Sequence, residues 1–255
     1  MEFYSVTEAA KQQLAMQYAR QRENFPILEA NRHDREKDRA GSATAVAANE
    51  LRFFGAARYL LYGDVIGFRE QVSSSASLLG VDLPDRFDRG EDISPSYVSL
   101  LLWKPLLDAF AAADEQLGLA IASRMGGRTE VEEKYDHPWD RAFGAALKHG
   151  VLRERDAAER IRELERETTK RVYFGSSQLV ATLRSIEQEA DPSAAFHELV
   201  RAHKRMSSKR GVLGLTIDAK LFMWGIGLAN LARSRGIDMA GFGPLIPDDL
   251  LMTRR

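Results

Sequence analysis

Apolar positions recur at helical spacing through most of the chain, and no stretch keeps the two-residue alternation of a half-buried strand. The pattern is clearest in "KLFMWGIGLANLARSRGID", Lys220 to Asp238. There Leu221, Trp224, Leu228, Leu231 and Ala232 share one face, with the small Gly225 beside them for close helix approach. Its apolar run, Leu221 to Ala229, is about half of the roughly 20 residues a membrane span requires. Gly225 and Gly227 supply only the first half of a dinucleotide-binding fingerprint: position 230 is Asn, and no β-branched strand precedes them. Arg233 and Arg235 suit a helix carboxyl end and Gly236 a stop, so the segment is expected to be a core helix.

The same reading predicts helices along the rest of the chain. Thr7 and Glu8 open a first helix with Leu14 and Tyr18 on one side, and Pro26 is expected to interrupt or end it. A second is expected to start within "NRHDREKDRA" and run through "GSATAVAANELRFFGAARYLL". A third spans about Asp64 to Leu79 and stops at Gly80, ahead of Pro84. Ser94 and Pro95 are placed as cap and first residue of a long segment that Pro105 kinks or divides and Gly126-Gly127 stops. His137 or Asp136 precedes Pro138 in the next, which Gly150 closes. Ile161, Leu164, Thr168 and Val172 form the apolar stripe of an amphipathic helix. Asp191-Pro192-Ser193 begins another, through Phe196, Leu199 and Val200. These elements predict an all-α fold: a multi-helix bundle or an irregular stack of helical hairpins with short connections. One domain over 1–255 is expected, with a soft division left open near 126–136. An echo between residues 59–84 and 221–239 leaves a stacked helical repeat open, although no fixed period is visible.

Composition narrows the function classes. Over 255 residues, 44% hydrophobic and 29% charged content is that of a globular protein with ample core. A net charge of −1 and a pI near 6.6 remove the general basic surface expected of a nucleic-acid binder, so no direct nucleic-acid partner is expected. The absence of cysteine excludes disulfides and thiolate chemistry, in keeping with a reducing compartment. The amino-terminal stretch lacks a basic segment followed by an apolar one, so no signal peptide, no membrane association and a cytoplasmic location are expected.

Catalytic constellations are scarce. The chain has no Gly-x-Ser-x-Gly elbow, phosphate loop or His-Glu-x-x-His. Glu133, His137, Asp136 and Asp140 carry ligand chemistry suited to a metal, but Pro138 disfavours a continuous helix through His137, and helix capping explains these residues more simply. No metal, cofactor or enzymatic activity is expected. One basic cluster, Arg201, Lys204, Arg205, Lys209 and Arg210, either contacts an acidic group or complements a helix dipole. Acidic residues are concentrated in two segments. One holds Asp82, Asp85, Asp88, Glu91 and Asp92; the other holds Glu130, Glu132, Glu133, Asp136 and Asp140, with Phe87, Tyr135 and Trp139 interleaved. Carboxylates favour helix starts without any function, yet with aromatics between them they also suit a surface that meets a basic partner.

The helical body, the "LFMWGIGLANLARSRGID" helix and the closing "GPLIPDDLL" resemble the immunity protein 49 family of bacterial polymorphic toxin systems. Ala232 to Gly236 followed by Pro247 carries the resemblance at the end of the chain, and "LRFFGAARYLLYGDVIGFREQVSSSASLLG" near its start. It covers most of the chain loosely and rests mainly on packing positions. What it implies is a non-enzymatic inhibitor that binds a cognate toxin domain, such as a nuclease or another intracellular enzyme. The expected contact residues, chosen from charge and exposure, are Asp85, Asp88, Glu91, Asp92, Glu130, Glu132, Glu133, Tyr135, Asp136 and Trp139. A helical-repeat scaffold and a metal-dependent enzyme using Glu133, His137 and Asp140 are the alternatives.

Overall fold

A computed structural model describes residues 8–170, 175–207 and 216–253. Its elements are helical, and among the described residues there is no strand. In chain order they are α1 (Glu8–His33), α2 (Ser42–Tyr62), α3 (Val65–Ser77), α4 (Leu83–Asp88), α5 (Trp103–Ala111) and α6 (Glu115–Arg124). There follow α7 (Thr129–Tyr135), α8 (Pro138–Val151), α9 (Ala157–Lys170), α10 (Ser176–Glu187), α11 (Ser193–Met206) and α12 (Met223–Ser234). Among the described residues no helix is long and apolar enough to cross a membrane.

The centre of the fold is the crossing of α5 and α12. Every α5 residue except Lys104 is buried, as is every residue of α12 from Met223 to Ala232 except Trp224. Helices apolar on all sides are found where protein surrounds them. The core helix expected around Leu221 to Asp238 is therefore present, but the close helix approach falls at Gly227 and not at Gly225, whose space is taken by the side chains of Phe222 and Ile246. A Cβ added to Gly227 would land on the carbonyl oxygen of Leu107 in α5 and 3.0 Å from its carbonyl carbon. Asn230, which breaks the dinucleotide fingerprint, is a buried polar clasp. Its Nδ2 donates to the Phe110 carbonyl at 2.8 Å and its Oδ1 accepts from the Met252 amide at 2.7 Å, tying the tail to both helices. Arg233 and Arg235 bind carbonyls of other segments, namely Met239 and Met252, and Gly150 and Ile186, so they are joints of the fold beyond any dipole effect.

Several expected boundaries are corrected. Helix α1 continues through the exposed Pro26, and the stretch before the proline is held against α2, where Tyr18 and Phe25 pack edge-on against Phe54. The charged stretch before α2 forms turns, and α2 begins only at Ser42. Gly80 does not end a helix. It lies in a π-helical turn, Leu78–Asp82, that leads into α4, and its missing side chain admits Ile121 of α6. Pro95 opens a single 3-10 turn, and Pro105 falls in the first turn of α5, where a proline leaves no intrahelical hydrogen bond unmade. The long segment divides instead at Ala113, in the left-handed region at φ 60, after which the Asp114 side chain caps α6 by accepting from the Leu117 amide. Gly150 lies within the last turn of α8 and not beyond it. Helices α4, α7 and α10 have no counterpart in the expected elements; α4 falls where a loop was expected. The Thr7 cap and Val172 lie outside the described residues, as do Lys209 and Arg210 of the basic cluster.

One polar junction inside the fold was not anticipated. Arg52 of α2 donates through Nε to Asp108 of α5 at 2.8 Å and through both terminal nitrogens to Asp218 at 2.8 and 3.0 Å. Asp218 belongs to a 3-10 turn, Ile217–Ala219, whose carbonyl at position 218 accepts from His203 of α11 at 2.7 Å. Burial holds the His203 imidazole below its usual range, and the ring stacks on Phe222. His203 is thus a packed core group.

Candidate functional site

The two acidic segments, about 40 residues apart in the chain, meet on one face. A small apolar cluster of Ala45, Leu83, Ile93 and Val98 is covered by Phe87 of one segment, by Tyr97 a few residues after it, and by Val131 of α7 from the other. Arg128, just before α7, seals the junction with a bidentate pair to Asp88 at 3.0 and 2.5 Å.

The face is less negative than its composition suggests. Arg124 holds both oxygens of Asp85 at 2.7 and 3.1 Å, and this hydrogen bonding keeps the Asp85 carboxyl below the usual range. Glu91 pairs with Arg86 and Arg89, which likewise lower its carboxyl, and Asp92 pairs with Arg39. Arginines supplied from before, within and after the loop thus occupy the acidic residues of 85–92. The bare acidic patch is corrected to a ladder of ion pairs.

Arg86 also reaches the buried Asp38 at 2.7 Å. Gly41, at the amino end of α2, has no side chain to cap the helix. Asp38 does this from three residues upstream, accepting from the Thr44 amide at 2.9 Å and its hydroxyl at 2.5 Å. Burial works against ionisation of Asp38, but the bonds from Arg86 and Thr44 outweigh it and hold the carboxyl below its usual range. A lowered carboxyl contributes stability that is present above its unfolded pKa and lost as pH falls through the folded one. Asp38→Asn is therefore expected to lower stability at pH 7 by about 1–2 kcal/mol. The gap to wild type should narrow on acidification below about pH 4. Melting curves at pH 7 and pH 3 check this, and a gap independent of pH would refute it.

Three expected contact residues are removed from the face by burial. Glu132 turns inward and accepts from the Arg128 amide at the start of its own helix at 3.0 Å. Asp136 accepts from the Leu100 amide at 2.8 Å, and burial pushes its carboxyl up against the opposing effect of hydrogen bonds from Ser99 and Leu100. Trp139 stacks on Phe143 with ring centroids 5.0 Å apart, and its Nε1 donates to Thr168 of α9. The remaining expected contacts of the second segment, Glu130, Glu133 and Tyr135, stand exposed on α7, and Tyr135 is one of the exposed large apolar side chains at 42%. Lys134 lies over the Tyr135 ring.

His137 caps α8 as expected, its Nδ1 accepting from the Trp139 amide. Glu133, His137 and Asp140 do not converge as a metal-ligand set. Among the described residues the one set that does is His149, Glu154 and Asp156. In the basic cluster, Arg201 pairs with Glu198 on its own helix. Comparison with protein-family models, with curated proteins and with solved structures found no match to this chain.

Proposed function

We propose that this chain is an immunity-type protein that binds and neutralises a cognate toxin domain in the cytoplasm of the cell that makes it. The observation that supports the reading is the convergence of α4, the loop that follows it and α7 into one ion-paired face, with Glu130, Glu133 and Tyr135 unburied at its edge. An aromatic anchor beside charges already fixed in place lowers the ordering cost of binding and suits protein recognition. The resemblance of the α12 segment and the tail to immunity protein 49 supplies the kind of partner. Inhibition by direct contact requires no catalytic group of its own.

Co-purification tests the reading. Tagged protein expressed with toxin domains encoded beside its gene is expected to return a one-to-one complex. A partner that binds without being inhibited would point to a scaffold instead.

The face also sets which charges steer association. Asp85, Asp88, Glu91 and Asp92 are paired internally, so altering them perturbs the fold as well as the surface. Glu130→Lys with Glu133→Lys is the cleaner change, and it is expected to leave the melting temperature unchanged while slowing association about tenfold at low salt. Stopped-flow association at two salt concentrations reads this out. An unchanged rate would remove α7 from the interface.

A further inference from the structure

At the joint between α8 and α9 the chain folds one imidazole against two carboxylates. His149 is in the last turn of α8. The chain then reverses through Arg153, which is in the left-handed region at φ 53, and the Glu154 amide donates back to the His149 carbonyl at 2.9 Å. This turn brings Glu154 Oε2 to 2.7 Å from His149 Nδ1. Asp156 accepts the first amide bonds of α9 through its carbonyl, and its Oδ1 lies 2.6 Å from the same Nδ1. All three donor atoms are within 4.8 Å of one another.

A single ring nitrogen carries at most one proton, and one N–H cannot point at two oxygens with good geometry. Two negative charges are thus gathered at one point with at most one hydrogen bond of full strength between them. A divalent cation would satisfy all three donors together and neutralise both carboxylates. Asp156 keeps its second oxygen for Arg160, 3.3 Å away, and Arg160 is in turn held by Glu163 at 2.9 Å. The contact of Arg160 Nε with Asp156 is an ion pair without a hydrogen bond.

We propose that His149 Nδ1, Glu154 Oε2 and Asp156 Oδ1 bind a divalent first-row transition metal, of which Zn²⁺ is the representative. One imidazole with two carboxylates favours this class over the harder Ca²⁺ and Mg²⁺. The donors stand closer together than ligands around an ion, and each would move outward by roughly half an ångström to reach Zn–ligand lengths of about 2.0–2.2 Å. Both carboxylates are on the surface, with side chains 39% and 40% exposed, which permits that adjustment and leaves room for water to complete the shell. Of the three, His149 also lines a groove of about 670 Å³, together with Arg141, Lys148, Arg160 and Arg166, whereas the two carboxylates lie outside it. Metal binding here would clasp α8 to α9, and it is independent of the proposed toxin contact on α7.

The test is Zn²⁺ titration by calorimetry on tag-free, full-length protein, with Co²⁺ absorption as a spectroscopic check. One ion per chain is expected. Glu154→Gln should weaken binding about tenfold and the double variant His149→Gln/Glu154→Gln by roughly 100-fold or more. Because Glu154→Gln alters a surface carboxylate, its melting curve without metal should match wild type, which separates lost ligation from lost fold. Zn²⁺ binding by wild type no stronger than by the double variant would overturn the site.

Discussion

Arg52→Ala is expected to destabilise the protein by about 3–5 kcal/mol, a large fraction of the 5–15 kcal/mol by which domains are stable. The reason is what the substitution leaves behind. The Asp108 side chain is 4% exposed, and Arg52 is its charge partner. Among the described residues nothing donates to its other oxygen, Oδ1. Burial pushes the Asp108 carboxyl up and Arg52 pulls it back. For Arg52 itself burial opposes the charge, but the two aspartates more than offset that and keep the guanidinium ionised. Without the arginine a carboxylate is stranded beneath α2, and the turn carrying Asp218 loses its bidentate anchor. Arg52→Met with Asp108→Leu removes both charges and is expected to recover much of the loss, because a buried ion pair is itself of small net value. Urea unfolding followed by circular dichroism measures both variants. A urea midpoint for Arg52→Ala equal to that of wild type would contradict the account.

Gly227→Ala is the second large effect expected. The added methyl meets backbone in α5, the Leu107 carbonyl, which no rotamer change can move aside. Helix α12 must shift away from α5 across the centre of the core, at a cost of about 3 kcal/mol. For a chain of this size that corresponds to a fall in melting temperature of about 6–12 °C. Gly118→Ala serves as a comparison, since its methyl would meet the ring of Phe110, a side chain with some freedom. Equal and small effects at the two positions would show that α5 and α12 are not in backbone contact.

These sites show where local pattern sufficed and where it did not. The α12 core helix, the start of α3 near Asp64, the His137 cap and the start of α11 were legible because the apolar period and the first residues of each helix lie within one turn of each other. Gly80 and Pro105 misled because their meaning depends on context: Ile121 of α6, and a position inside a first turn. The site was legible in part. Both acidic segments were visible, and they do share a face. Their arginine partners come from up to 53 residues away, as Arg39 does for Asp92, so composition could not show that the charge was already spent inside the chain. Glu132, Asp136 and Trp139 look like surface residues beside Glu130 and Tyr135. Only the packing of α7 and α8 on the preceding turns and on α9 turns them inward. The joint at His149 escaped notice because its three donors converge through a left-handed non-glycine residue, Arg153, which carries no sequence signature.

The most direct test of the central claim is growth on co-expression with the toxin domain encoded beside this gene. Wild type is expected to restore growth, whereas Glu130→Lys/Glu133→Lys/Tyr135→Ala, folded to the same melting temperature, is expected to restore it poorly or not at all. Full protection by that variant would place the interface elsewhere on the molecule, and no protection by wild type would contradict the inhibitor reading itself.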